Sequence, residues 1–461
     1  MVEVTAELLA RYDRPVPRYT SYPTAVEFTE AFGPSDHEAR LRGAADRPDD
    51  PLSLYLHLPF CEARCSFCAC HVVITQKTEV ADAYLQRVLV EADRVAAKLG
   101  DRRKLAQYHW GGGTPTHHTP EVMADLHSRL MEHFEIQPGA DVAIEVDPRV
   151  TTFEHLAMLD ELGFNRLSLG VQDLDPRVQD LIGRNQTREE TEALHREARR
   201  LGFESINFDL IYGLPGQSEA TMAATLDAVV EMRPDRLAVY SFALVPWMRP
   251  HQKRMDEAGL PSTEEKFALL AQVIGTLTDA GYVQIGMDHF ALPTDSLARA
   301  AIDRTLTRNF MGYTTIRGTD VVALGSSGIS DVDGAYAQNH RRLASYYEMV
   351  DSGDLPVERG YRLNRDDRIR RYVITELMCN NTVNLDDVSR RFDIDAAGYF
   401  ASELATLTGP EGLVSEGMVT VDDHDITATE LGGMFVRRVA TVFDTHRDQG
   451  PTGTPVFSRS I

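Results

Sequence analysis

Four of the chain's five cysteines fall within ten residues, in Tyr55-Leu-His-Leu-Pro-Phe-Cys61-Glu-Ala-Arg-Cys65-Ser-Phe-Cys68-Ala-Cys70. Three of them form Cys-x3-Cys-x2-Cys, and Cys70 follows after one residue. A loop of this length lets three thiolates converge on one centre. Three chemistries compete for them. One is a structural zinc ion completed by Cys70, His57 or His71. The second is a disulfide cluster. The third is a [4Fe–4S] cluster on three cysteines, with one iron left open to a small molecule, as catalytic zinc keeps one position open. Zinc sites favour two Cys-x2-Cys knuckles across a long gap. Here the remaining cysteine, Cys379, stands alone and reads as an inert buried thiol. Crowded thiols without a disulfide framework suit a reducing compartment. The spacing therefore favours the cluster.

Around this loop the chain must build a scaffold. Its 461 residues are enough for two or three domains with ample core. No apolar run reaches the ~18 residues of a membrane helix. The acidic start, Met-Val-Glu-Val-Thr-Ala-Glu, lacks the basic and apolar stretches of a signal peptide. A soluble, cytoplasmic protein is expected. The net charge of −23 argues against general nucleic-acid or anionic-membrane binding, which needs basic surface. An anionic substrate is still admissible, provided arginines gather locally to pair with its carboxylates.

From residue 52 strand-like stretches alternate with amphipathic helical ones. The strands are read at 52–58, 105–110, 141–146, 165–169, 205–212, 235–243 and 282–287. The helices are read at 79–99, 120–134, 152–162, 188–201, 218–232 and 263–280, with Thr119-Pro120 and Ser262 as caps. Such alternation predicts an α/β fold with a parallel sheet, and about six units suit a partial (β/α)6 barrel. Three segments are expected: an N-terminal arm at 1–50, a catalytic partial barrel at 51–360, and a mainly helical, winged-helix-like domain at 361–461. The last holds 11 arginines, no lysine and 16 acids, so DNA binding is not expected of it. Residues 288–345 read as irregular, with a glycine-rich turn at Gly325–Ser330.

Polar and glycine residues cluster where the strands end, and the cysteine loop also follows a strand. In parallel α/β folds those ends form the active site. Gly111–Gly113 could be a flexible turn, or could let backbone N–H groups approach a ligand. Glu145 and Asp209 lie in apolar runs, where they could form internal salt bridges or meet a ligand's amino or ribose hydroxyl groups. Arg184 could bind a carboxylate. The arm Pro15–Thr24 reads as a surface segment, with a flap over a site as the alternative.

The cysteine motif, with Phe67 before its last thiol, resembles the radical S-adenosylmethionine (SAM) superfamily. Further motifs narrow the resemblance: Pro17-Arg-Tyr-Thr-Ser-Tyr-Pro-Thr, His109-Trp-Gly-Gly-Gly-Thr-Pro-Thr, Ile144-Glu-Val-Asp-Pro-Arg, Leu169-Gly-Val-Gln-Asp, Asp209-Leu-Ile-Tyr-Gly-Leu-Pro, Gly286-Met-Asp-His-Phe-Ala and Phe457-Ser-Arg-Ser-Ile. Together they resemble the family of oxygen-independent coproporphyrinogen III dehydrogenases, the anaerobic oxidases of haem synthesis. Ala69 stands where that family often has glycine.

The resemblance implies that Cys61, Cys65 and Cys68 ligate a [4Fe–4S] cluster whose fourth iron binds S-adenosyl-L-methionine. It implies two molecules of that cofactor. Tyr55, Gly112, Glu145 and Ile329 would touch the first, and Phe67, Gly113, Thr114, Gln172, Arg184, Asp209 and Ala243 the second. The substrate would be coproporphyrinogen III, the electron donor flavodoxin-like, the final acceptor unspecified, and the protein a monomer. Arg18 and Arg308 are candidate partners for the propionates. It also moves the N-terminal arm towards the substrate. Haem-chaperone relatives tend to lack the fourth cysteine and the arm. A radical methyltransferase that opens the haem ring fits the arm and the C-terminal motif less well.

Overall fold

The computed structural model describes residues 11–12, 14–255 and 259–447. The terminal Phe457-Ser-Arg-Ser-Ile461 motif lies outside them. The chain divides into two compact units, neither of them continuous in sequence. One comprises Phe28–Pro261 with Ile316–Arg362, the other Met1–Glu27, Ser262–Thr315 and Leu363–Ile461.

The first unit carries a ten-stranded run of sheet. Its strands are β1 (Leu52–Leu58), β2 (Lys104–Gly112), β3 (Glu135–Val146), β4 (Arg166–Gln172), β5 (Ser205–Tyr212), β6 (Arg236–Ser241), β7 (Asp320–Leu324), β8 (Ile329–Val332), β9 (Ala335–Asn339) and β10 (Val357–Arg362). They lie in the order β10-β9-β8-β7-β1-β2-β3-β4-β5-β6, and the sheet does not close on itself. Every pair from β7 through β1 to β6 is parallel. The pairs from β7 to β10 are antiparallel. Parallel neighbours need long crossovers. These are supplied by helices α1 (Thr78–Leu99), α2 (Pro120–Leu130), α3 (Phe153–Glu161), α4 (Pro176–Ile182), α5 (Arg188–Leu201) and α6 (Glu219–Met232).

Local sequence explains these elements. In β1 the leucines 52, 54, 56 and 58 are fully buried, while Ser53, Tyr55 and His57 take the opposite face by the period of two. In α1 the buried Tyr84, Leu85, Val88, Ala92, Val95 and Leu99 recur every three or four residues and form one stripe. Thr187 starts α5 with a reciprocal capping box to Glu190. Thr119 precedes α2 with Pro120 at the first turn, but its side chain caps nothing.

The irregular reading of residues 288–345 is corrected by β7–β9. These strands are short and covered on both faces; Ala335–Asn339 is buried along its whole length. Strands of that kind show no polar–apolar alternation.

In the second unit, Ser262 caps the helix Thr263–Asp279 in a box with Glu265. Helix Arg365–Asn380 leads into Leu385–Phe392, Ala396–Tyr399 and Ala401–Thr408. Strands Thr382–Asn384, Asp425–Ala428 and Val419–Val421 pair antiparallel in that order. The arm is not a surface segment. Tyr12, Tyr19 and Tyr22 share a core with Ile369, Val373, Phe400 and Phe435. Arg437 donates to the carbonyls of Val16 and Pro17. Arg18 pairs with Asp288, whose other oxygen meets the His289 ring at 2.7 Å, and Arg308 donates to the Arg18 carbonyl at 3.1 Å. Among the described residues no helix is long and apolar enough to cross a membrane.

Burial alone would raise the Asp288 carboxyl, but Arg18 and then His289 outweigh it and hold it well below the ordinary carboxylate range. Its ionised form therefore stabilises the fold. That contribution is complete above the ordinary carboxylate pKa of ~4 and falls away as pH drops below it. Asp288→Asn should lose roughly 2 kcal/mol at neutral pH, read by urea unfolding, and should flatten the acid limb of the stability curve. An unchanged midpoint with an unchanged acid limb would show that the pair contributes nothing.

Candidate functional site

The cysteine loop grows from the end of β1. Phe60–Cys61 pairs in parallel with Val73–Ile74, which pins the loop at both ends. The N–H of Cys68 donates to the Cys65 carbonyl (3.3 Å), and that of Ser66 to the Ile182 carbonyl after α4 (2.9 Å). His251 meets the Cys68 carbonyl at 2.9 Å. The Gln252 amide lies 3.3 Å from the carbonyls of both Phe67 and Ala243. The loop is therefore held on several sides by its own backbone.

Next to it, β2 runs out into Gly111–Gly113. The N–H of Gly113 donates to the Leu58 carbonyl and that of Thr114 to the Phe60 carbonyl, both at 2.8 Å. A Cβ on Gly113 would stand 2.6 Å from the Phe60 carbonyl oxygen, and one on Gly111 2.8 Å from the Glu145 carboxylate. The glycines permit close backbone approach and do not form a flexible turn. Thr114 Oγ1 lies 3.4 Å from Cys61 Sγ.

Parallel register assembles the opposite wall. Glu145, Ser168 and Asn207 are aligned across β3, β4 and β5. Glu145 accepts from the Gly112 N–H (3.1 Å) and faces His109 Nε2 at 3.4 Å. Burial pushes its carboxyl up, but His109 and the Gly112 N–H outweigh this and hold it below its ordinary value. Asp209 accepts from Ser168 Oγ (3.0 Å) and Asn207 Nδ2 (2.9 Å). Gln172 sits at a bulge between β4 and β5 with φ +68, a left-handed backbone that few non-glycine residues adopt.

Two arginines face the central thiol. Arg149 and Arg184 lie 3.8 and 3.7 Å from Cys65 Sγ. Both are anchored on buried Asp147, at 2.7 and 3.0 Å. Arg184 also donates to the Gly170 carbonyl at 2.6 Å. Burial would raise the Asp147 carboxyl, but Arg184 and Arg149 outweigh it and keep it lowered.

One cavity gathers Cys61, Cys65, Cys68 and Cys70 with Phe67, Gly112, Gly113, Thr114, Glu145, Gln172, Arg184 and Asp209. Three expected contacts do not line it. Tyr55 is stacked on His109 (5.8 Å) with its hydroxyl 3.1 Å from His57 Nδ1. Ala243 is linked to Phe67 through the Gln252 amide, which reaches both carbonyls. Ile329 begins β8. Asp147 and Arg149 also line the cavity, and sequence reasoning gave them no role. Their only signal was the Glu-Val-Asp-Pro-Arg string at the end of β3.

The donor set suits an iron–sulfur cluster. All four loop thiols are free. Among the described residues no three His, Cys, Asp or Glu side chains converge on a position for a single ion. The thiols instead border a shared space, as a cluster needs when each ligated iron takes one thiolate. Burial pushes the Cys61 thiol up to about 11. A metal centre that binds thiolate would have to displace that proton.

Residues 55–229 match the model of the radical SAM superfamily and residues 363–435 that of the HemN C-terminal domain. Fold and thiol-lined cavity together define a radical SAM protein. The chain is 40% identical to the oxygen-independent coproporphyrinogen III oxidase of Synechocystis sp., over 100% of this chain and 98% of that one. It is 43% identical to the Escherichia coli protein of the same name, over 96% and 95%. The solved structure of coproporphyrinogen III oxidase (HemN) from Escherichia coli, described as a radical SAM enzyme, superposes with a TM-score of 0.90 at 40% identity, over 96% of this chain and 99% of that one. This chain belongs to the oxygen-independent coproporphyrinogen III oxidase family.

The packing of Gly113 on Phe60 yields a test. Gly113→Ala should push the strand carrying Cys61 aside and leave the anaerobically reconstituted protein with well under half of the wild-type iron. Full iron loading would show that the contact can relax without disturbing the thiols.

Proposed function

We propose that the protein oxidatively decarboxylates two propionates of coproporphyrinogen III to vinyl groups, giving protoporphyrinogen IX without oxygen. The observation that carries this reading is the single cavity shared by Cys61, Cys65 and Cys68 with the carboxylates of Glu145 and Asp209. Curated relatives that share the full length of the chain bear the name of that reaction. Each conversion removes one hydrogen atom and one further electron from the propionate as its carboxylate leaves as CO₂.

Cys61, Cys65 and Cys68 would hold the cluster, with the first SAM bound beside it. When reduced, cluster and SAM together supply the radical that takes the substrate hydrogen. Glu145, kept ionised by His109 and the Gly112 N–H, accepts from the amino group. Gly112 brings its backbone close, and Tyr55 and Ile329, which do not line the cavity themselves, are assigned to this first subsite by the family resemblance alone. Asp209, oriented by Ser168 and Asn207, accepts from ribose hydroxyls of a second SAM. Phe67, Gly113, Thr114, Gln172 and Ala243 surround that molecule, and Arg184 supplies a fixed positive charge. Asp147 and Arg149 hold charge balance around Cys65. The electron donor is a flavodoxin-like protein, the working form is a monomer, and the free thiols suit the cytoplasm.

Anaerobic reconstitution followed by dithionite, SAM, coproporphyrinogen III and an electron acceptor should release CO₂ and form protoporphyrinogen IX. Stable haem binding with no CO₂ would instead identify a haem carrier. Cys65→Ala should remove the brown absorbance and the bound iron; survival of both would overturn the ligand assignment. Cys70→Ser should keep the cluster and lose turnover, whereas loss of iron would make Cys70 a ligand.

A further inference from the structure

Helix α1 buries two polar side chains seven residues apart on one face, Tyr84 and Glu91. Neither borders the cavity. Glu91 accepts three hydrogen bonds, from the Gly325 N–H (2.8 Å), Asn339 Nδ2 (2.6 Å) and the Tyr346 hydroxyl (2.5 Å). Asn339 donates from the same amide to the Gly325 carbonyl (2.9 Å), and its own N–H reaches the Gly328 carbonyl (2.9 Å). Tyr84 accepts from the Ser326 N–H (2.9 Å) and donates to the His57 carbonyl (2.6 Å). A buried carboxylate is costly, and an apolar residue of similar size commonly serves stability as well. This one is dedicated to holding a turn.

The turn is Gly325–Gly328, between β7 and β8. Gly325 has φ +95 and Ser327 φ +62. A Cβ on Gly325 would run into the Tyr84 hydroxyl and the His57 carbonyl. The turn places Ser327 Oγ 3.3 Å from His57 Nε2, which also lies 3.1 Å from the His71 carbonyl beyond the cysteine loop. Burial lowers the His57 ring to about 4, so it is neutral and can accept from the Tyr55 hydroxyl at Nδ1. Ile329 follows the turn directly.

We propose that Glu91 is a positioning residue for the cluster-side cofactor, fixing the 325–328 turn and through it Ile329, His57 and Tyr55. The inference rests on the reading that Tyr55 and Ile329 contact the first SAM. Glu91 itself touches neither thiol nor cofactor and acts through its three donors.

Glu91→Gln preserves shape but replaces one acceptor oxygen with an NH₂ that faces another donor. In the protein without its cluster, amide exchange at 325–328 should accelerate about tenfold, while β2 and β5 stay protected. After anaerobic reconstitution the variant should bind wild-type iron, and its dissociation constant for SAM should rise about tenfold, with kcat at saturating SAM changed far less. Tyr346→Phe removes one donor and should give the same pattern at about a third of the size; it carries the test alone if the glutamine variant does not fold. If the wild-type protein loads iron but binds no SAM, the functional reading fails. If the wild type binds SAM and both variants bind it equally, with only a lower melting temperature, the positioning role is overturned.

Discussion

A buried carboxylate holds two guanidinium groups against one sulfur, and the rest of the site depends on that arrangement. Asp147 grips Arg149 and Arg184, and both face Cys65. Three thiolates and an acidic wall brought together away from water repel one another unless positive charge is fixed beside them. Arginine suits this task because it stays charged and its fork serves a carboxylate and a second acceptor at once. Asp147 stops the two cations from swinging outward, so the electrostatics are set before any cofactor arrives.

The sheet converts that local charge balance into a site. Parallel pairing puts strand ends at one rim, and register then decides which side chains share a row. Glu145, Ser168 and Asn207 share one row because β3, β4 and β5 are aligned there, though the residues are far apart in sequence. The bulge before Gln172 breaks the row locally and turns that side chain at the cost of a left-handed backbone. Glycines at the end of β2 remove the Cβ atoms that would keep the cysteine loop at arm's length.

Much of this was legible in the sequence. The parallel strands have strongly apolar cores and helices between them, so their existence and type followed from periodicity. The thiol spacing pointed to a cluster, and eight of the eleven proposed cofactor contacts share one cavity with the thiols. The misses share a cause. Strands β7–β9 carry no alternation because both faces are covered. Asp147 and Arg149 were given no role, since their worth lies in distance to Cys65 and not in their sequence neighbours. The arm looked proline-broken and exposed, yet its tyrosines fill a core whose other half lies more than 300 residues downstream. Arg184, read as able to bind a carboxylate, does pair with one, that of Asp147, and donates to the Gly170 carbonyl as well.

The position of β1 has a consequence for synthesis. Its two neighbours are β2, made soon afterwards, and β7, where Leu52 pairs with Asp320. At about 5–20 residues per second, roughly 10–50 s of translation separate those partners. During that interval the strand that presents the cysteine loop has one bare edge, a template for wrong pairing. The turn braced by α1 is missing for the same interval. The loop thus gains its full support only after the ribosome has delivered β7 and the turn that follows it.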